Sequence, residues 1–300
     1  MRISGASCGT RRYDARVLPL PNSDDRPTAP STPEPDPVVV ARLRAAGCVF
    51  AEDEAALLAA EVDGRADAAS ELEHLVARRV AGEPLEQVLG WAEFAGLRIV
   101  VEPGVFVPRR RTELLAAEAA RLASGVSGRP AVVVDLCCGA GAIGAAVASG
   151  VAADGGRVEL VAADVDPAAV RAARRNLEPI GGRVVEGDLF DPLPPELRGR
   201  VDVLAVNAPY VPTAEIGMMP PEARDHEAHV ALDGGHDGLD VHRRVAASAA
   251  EWLAPGGHLL IETSRAQAAR TTALVEAGGL HARVLRDDDL DATVVFGRRG

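Results

Sequence analysis

The stretch Val132-Val133-Val134-Asp135-Leu136-Cys137-Cys138-Gly139-Ala140-Gly141-Ala142-Ile143-Gly144 restricts this chain more than any other. An apolar β-branched run that stops at a carboxylate, passes through small residues and becomes helical reads as a strand–loop–helix turn. Small residues there let a ligand approach the backbone, where the free N–H groups of the following helix face it. The same stretch opens an alternation. Strands are expected at 131–136, 158–163, 183–186, 201–206 and 258–263, and helices at 142–149, 167–177, 240–253 and 265–277. This alternation predicts an α/β fold with a doubly wound parallel sheet. The last two extended stretches, 280–286 and 292–298, are joined by Asp287-Asp288-Asp289 with no helix between them, so they should pair antiparallel.

Four regions follow from the pattern. Residues 1–36 are rich in Pro, Ser, Asp and Arg and carry no hydrophobic period, as expected of a disordered leader. Residues 37–84 show helical spacing (Val39, Leu43, Leu57, Leu58, Val62, Leu72, Leu75, Val76) broken at Gly47 and Gly64, a small helical domain. Residues 85–110 form a linker in which 85–108 read as a β-hairpin with Trp91 and Phe94 in its core. Residues 111–300 hold the sheet and its helices.

Composition narrows the function. With 32 Lys and Arg (all arginine) against 44 Asp and Glu, the net charge of -12 opposes a nucleic-acid partner held by bulk electrostatics. No apolar run approaches the ~20 residues that span a bilayer, so no membrane association is expected. No apolar stretch follows Arg2, Arg11, Arg12 and Arg16, so a secretory signal is not expected and the location should be cytoplasmic. Cys8, Cys48, Cys137 and Cys138 fit neither a C-x-x-C pair nor zinc spacing, which points to reduced thiols and no metal. His226, His229, His236 and His242 fit no zinc site either and are expected to face solvent, while Met218 and Met219 should pack their loop.

Gly139, Gly141 and Gly144 satisfy G-x-G-x-x-G, and Asp164 ends the next strand about 20 residues on, so a dinucleotide site is one possibility. Three features favour S-adenosyl-L-methionine instead. Asp135 at the strand end would repel a pyrophosphate but help hold an ammonium group. The antiparallel ending suits a class I methyltransferase sheet. The fourth strand ends in Asn207-Ala208-Pro209-Tyr210, which has no role in hydride transfer. Asp166-Pro167 reads as the next helix cap, which leaves Asp164 to accept from both ribose hydroxyls. Asp188 could accept from the adenine amine.

The tetrapeptide suits methylation of an NH₂ group on an sp² carbon, whose lone pair is delocalised. Asn207 Oδ1 can accept one N–H and the Ala208 carbonyl the other, which opposes delocalisation and aims density at the methyl donor. Tyr210 can stack on the planar group. Catalysis would come from alignment and preorganised dipoles.

With these residues in view, the chain resembles the HemK/PrmC family, protein-(glutamine-N5) methyltransferases that act on peptide-chain release factors. The likeness runs from about Glu83 to Arg298. It includes Gly82-Glu83-Pro84-Leu85, Phe106-Val107-Pro108-Arg109 with Thr112-Glu113, the glycine loop, Asp164 and the tetrapeptide. It also includes Ala231-Leu232-Asp233-Gly234-Gly235 with Asp237-Gly238-Leu239. The resemblance implies cofactor contacts from Cys137, Cys138, Gly139, Ala140, Gly141, Asp164 and Asn207. It implies a glutamine amide held by Asn207, Ala208, Pro209 and Tyr210, with the helical domain recognising the substrate. Departures are Ala208 where the family usually has proline, Cys137-Cys138 in place of a glycine-threonine pair, and Leu189 where an aromatic could flank adenine. An adenine-N6 or other nucleic-acid amino methyltransferase is the alternative. A binding protein that has lost catalysis and a dinucleotide oxidoreductase stay open behind it.

Overall fold

The structure, a computed structural model, describes residues 35–300. The leader expected over 1–36 therefore lies outside the described residues but for its last two positions.

Three helices come first: α1 (Pro37–Ala45), α2 (Ala51–Val62) and α3 (Ala68–Val80). Asp36 caps α1 by accepting from Val38 N at 2.8 Å, and Pro37 supplies the preset φ of a first helical residue. Leu43, Leu58 and Val76 meet in a small core. Arg79 is buried beside them, donating from Nε to Glu54 Oε2 at 2.6 Å.

The hairpin is shorter than its pattern predicts. Leu85, Val88 and Leu89 have helical spacing after Pro84, and they form α4 (Leu85–Leu89), closed by Gly90 at φ +80°. Only β1 (Trp91–Phe94) and β2 (Leu97–Val100) pair, and the chain then runs on through Pro103 and Pro108, which cannot donate to a ladder. Asn176 anchors the hairpin by accepting from Val100 N and donating from Nδ2 to the carbonyls of Val100 and Ala140, all at 2.8–2.9 Å.

The remainder runs α5 (Glu113–Ser124), β3 (Ala131–Leu136), α6 (Ala142–Ala153), β4 (Val158–Asp164), α7 (Pro167–Leu177), β5 (Arg183–Glu186), β6 (Val201–Val206), α8 (Pro221–His226), α9 (His229–Leu232), α10 (Asp240–Trp252), β7 (Leu253–Glu262), α11 (Ala268–Ala277), β8 (His281–Asp287) and β9 (Ala292–Arg298). The sheet order is β5-β4-β3-β6-β7-β9-β8. Strands β3 to β7 are parallel, and β9 is antiparallel to both its neighbours. This is the class I methyltransferase arrangement. The terminal pair is antiparallel as expected, and its second strand is the one that inserts beside β7. Strand β7 begins at Leu253 rather than 258, with a register shift against β6 between Val201 and Val203.

β3 and β6 are buried on both faces, as parallel central strands must be. Val133, Val203 and Leu260 pack under α5, α6 and the hairpin, while Val134, Leu204 and Ile261 pack under α10 and Trp252. Strand order reverses between β3 and β6, so a crevice opens at their carboxyl ends. Among the described residues no helix is long and apolar enough to cross a membrane.

Candidate active site

β3 delivers the glycine loop to that crevice. Cys137 (φ +54°), Gly139 (φ +54°) and Gly141 (φ +78°) all take the left-handed region, so the loop turns sharply into α6. At Gly141 a Cβ would lie 2.9 Å from Leu177 Cδ1, so glycine is required for packing. At Gly139 a Cβ would meet nothing within 4 Å, because its vacant side projects into the cleft. The cleft encloses about 350 Å³ between the glycine loop on one side and Asn207–Tyr210 on the other.

Of the residues expected at this site, Asp135 and Gly141 are the two that do not reach the cleft wall. Asp135 is fully buried and accepts from Gly144 N at 2.9 Å through Oδ2, while Oδ1 has no partner. Its carboxyl staples the first turn of α6 from beneath and does not stand beside the ligand space as its strand-end position suggested. Burial, with Asp164 adding to it, pushes its pKa up to about 7 against the pull of the Gly144 N–H.

Asp164 lines the cleft but is not idle. Oδ2 accepts from Gly139 N at 2.8 Å and Oδ1 from Asp166 N at 2.9 Å, and each oxygen keeps a lone pair for a further donor. Burial raises its pKa and these N–H donors oppose the rise. Asp166 caps α7 by accepting from Ala168 N at 2.8 Å. Asp188 is exposed at the far rim and accepts from Arg244 at 2.6 Å, beside buried Leu189. Burial drives both cleft-loop thiols, Cys137 and Cys138, well above the ordinary cysteine range, so they stay protonated.

At the opposite wall, Asn207 Nδ2 donates to Thr112 Oγ1 at 3.3 Å, which leaves Oδ1 as its open acceptor. The Ala208 carbonyl has no hydrogen-bond partner among the described residues. Tyr210 is half-buried and its hydroxyl donates to Glu262 Oε1 at 3.4 Å. Burial, reinforced by Glu262, pushes the Tyr210 pKa up to about 12.

A model of the methyltransferase small domain matches residues 96–219. A release factor glutamine methyltransferase of Geobacter sulfurreducens is 42% identical over 196 residues, covering 65% of this chain and 65% of that protein, just under two thirds of its length. Its counterpart in Mycolicibacterium smegmatis is 38% identical, over 77% of this chain and 84% of that protein. The chain belongs to the release factor glutamine methyltransferase family. A 4-amino-L-phenylalanine/4-methylamino-L-phenylalanine methyltransferase of Streptomyces pristinaespiralis is also similar, at 41% identity over 69% of this chain and 70% of that protein.

In this release factor glutamine methyltransferase relative, the glycine-rich motif after the tetrapeptide serves as its backing. A Cβ on Gly234 would lie 2.8 Å from Tyr210 Cα, and one on Gly238 would lie 2.3 Å from the Tyr210 carbonyl oxygen. Two side-chain expectations fail here. His242 is a fully buried residue of α10 whose Nδ1 pairs with Thr271 Oγ1 at 3.2 Å, and burial lowers its pKa to about 4. It faces inward because α10 presents His242, Val245, Ala246 and Ala249 to the sheet. Met219 lines the cleft, but Met218 is 76% exposed and packs against nothing that would bury it.

Sequence reasoning missed Arg111, Glu262 and Gln267, and it named Thr112 only as part of a motif. Glu262 had a legible signal: it ends β7 at the carboxyl edge of a parallel sheet, where ligands of such folds bind. Arg111 and Gln267 come from a 3₁₀ turn and a loop, and nothing local marks them.

Proposed function

We propose that this protein transfers a methyl group from S-adenosyl-L-methionine to the side-chain amide nitrogen (N5) of a glutamine in a peptide-chain release factor. The observation that carries this reading is the pair of open acceptors, Asn207 Oδ1 and the Ala208 carbonyl, across one cleft from the glycine loop. The cleft fits the donor: vacant Cβ space at Gly139, lone pairs on Asp164, and apolar walls at Leu189 and Ile143. Backbone of Cys137 to Ala140 with Asp164, Asp188 and Leu189 would hold it. Bound there, S-adenosyl-L-methionine supplies a sulfonium-activated methyl group.

The chain's own residues do the rest. Asn207 and the Ala208 carbonyl each accept one hydrogen of the substrate NH₂, which fixes its plane and concentrates its lone pair toward the donor side. Pro209 holds the loop's φ, and Tyr210 offers its ring to the planar amide. Cleft walls that exclude water strengthen these dipoles. The small helical unit over 37–84 is the natural recognition surface, because Arg79 ties it at 2.7 Å to Glu222 of α8, the helix that begins two residues after the cleft-lining Met219. A substrate of the translation apparatus supports a cytoplasmic location.

The second reading is a small arylamine acid, which the Streptomyces relative favours. Against it, Arg109, Arg111 and Arg244, the arginines of the cleft, each already face an acid: Glu227, Glu262 and Asp188. A free substrate carboxylate would find no uncommitted arginine among the described cleft residues, whereas an internal glutamine needs none. A nucleic-acid amine has less support still, given the net charge of -12.

The test uses radiolabelled S-adenosyl-L-methionine with release factors, their Gln→Ala variants, 4-amino-L-phenylalanine and short nucleic acids. Label on the release factor, lost with the glutamine and with Asn207→Ala, is the expected result. Label on the amino acid alone would replace the substrate assignment with the second reading.

A further inference from the structure

The short helix α8 (Pro221–His226) follows Met219 and precedes Val230 to Asp233, all of which line the cleft. A helix of six residues does not hold itself in place, so its position comes from tertiary contacts. Both of its ends are held from the helical side of the molecule. Near its start, Glu222 pairs with Arg79 of α3 at 2.7 Å. At its end, the His226 carbonyl accepts from Gln87 Nε2 of α4 at 3.1 Å.

Gln87 does more than close that end. It is 3% exposed, and both ends of its amide are engaged. Nε2 also donates to the Val105 carbonyl at 3.1 Å, and Oε1 accepts from Gly104 N at 3.3 Å. Two carbonyls at one end and an N–H at the other fix which end is the nitrogen. The neighbouring backbone joins the same two segments. Ala228 N donates to the Gly104 carbonyl at 2.9 Å, and Glu227 Oε1 accepts from Val107 N at 3.2 Å and pairs with Arg109. Phe106 and Arg109 line the cleft, so two strips of its rim meet at one amide. Val88, the next residue, belongs to the core of the helical unit with Leu43, Leu58 and Val76. One turn of α4 carries both residues, so a shift of the helical unit moves the rim or breaks the Gln87 bonds.

We infer that Gln87 is a positioning residue that couples the helical unit to the substrate-side rim of the cleft, so that a protein docked on the one is presented in register to the other. The inference rests on the reading proposed above for its consequence, but the coupling itself is a property of the protein without substrate. None of the hydrogen-bond partners of the Gln87 amide belongs to the glycine loop or to Asn207–Tyr210. Its loss should therefore fall on the protein substrate and spare the methyl donor.

The experiment compares Gln87→Met and Gln87→Glu with the parent enzyme, full length. Methionine keeps the length of glutamine and drops its hydrogen bonds. Glutamate keeps the acceptor for Gly104 N but sets an oxygen against two carbonyls. Both should lower kcat/KM for the release factor about twofold to thirtyfold, with the Kd for S-adenosyl-L-methionine within about twofold, the range for couplings carried by packed and hydrogen-bonded networks. Hydrogen exchange without substrate is the readout independent of turnover. Residues 104–109 and 223–233 should exchange faster in both variants, and residues 37–80 should change less. Strands 131–136 and 201–206 should stay protected, which shows that the variants are folded. Unchanged exchange at the rim, or loosening confined to 37–80, would overturn the coupling. Faster rim exchange with unchanged kcat/KM would overturn the role in presenting substrate. Faster rim exchange in an enzyme that labels no release factor, parent included, would support the coupling and overturn only the substrate assignment.

Discussion

Gln267 donates from Nε2 to the backbone carbonyl of Tyr210 at 2.9 Å, and the same nitrogen lies 3.2 Å from the carbonyl of Asp237. One side chain from the loop before α11 thereby clamps the tetrapeptide to the glycine-rich segment behind it. Tyr210 is held through its main chain as well as through its hydroxyl.

That clamp makes Gly238 a sensitive position outside the cleft. Its φ of +74° strains any other residue, and a Cβ would sit 2.3 Å from both Gln267 Nε2 and the Tyr210 oxygen. Gly238→Ala should cost about 1–3 kcal/mol of stability and displace Tyr210. The expected outcome is a lowered Tm together with a fall in kcat larger than that of Gln267→Ala. Thermal denaturation and steady-state kinetics check it.

Asn207→Ala should separate chemistry from cofactor binding. On the proposed function, removing the Asn207 acceptor is expected to lower kcat by about 10²–10³, the range for one preorganised hydrogen bond in a closed site. The Kd for S-adenosyl-L-methionine, measured by calorimetry, should change by no more than a few-fold, because the glycine loop and Asp164 stay intact.

Asp135 predicts a pH dependence of stability. Its pKa is raised from an ordinary value of 3.8 to about 7 in the folded protein. Between these values the native state holds a proton that the unfolded chain has released. Stability should therefore fall as pH rises through this window, with a slope of at most roughly 1.4 kcal/mol per pH unit from this group. Asp135→Asn stays neutral, keeps an acceptor for Gly144 N and should remove that slope. Urea unfolding at pH 4.5, 6 and 7.5 would reveal it as a difference between variant and parent.

The Arg79–Glu54 pair predicts an asymmetric double-mutant cycle. Arg79→Ala leaves Glu54 charged in a site where its side chain is 11% exposed, at an expected cost of about 3–5 kcal/mol. Removing Glu54 as well should recover a good part of that loss. Glu222, half-exposed, contributes little to the cost. Hydrogen exchange of α1 to α3 would locate the effect in the helical unit.

Much of this architecture was legible in the residues. Apolar β-branched runs alternating with helical stretches predict the parallel sheet. Asp166-Pro167 announces a helix start through the chemistry of its own two residues, and the structure has it there. One exception was Leu85–Leu89, where helical spacing lay inside a segment read as strand because the residues after it alternate so strongly.

What the residues alone determine is whatever depends on local backbone chemistry and period: the strands, the helices, the positive-φ glycine loop and the acceptor-bearing tetrapeptide. The insertion of β9 between β7 and β8 was decided by tertiary structure, because pairing partners far apart in sequence leave no local trace. So was the fate of the charged groups. Asp135, Asp164 and Glu262 are all carboxylates at strand ends, yet one is entombed under a helix, one braces a loop and one receives the Tyr210 hydroxyl. Side-chain burial and hydrogen-bond partners depend on which distant segments close over a residue, and only the folded chain brings Thr112 to Asn207 and Glu262 to Tyr210.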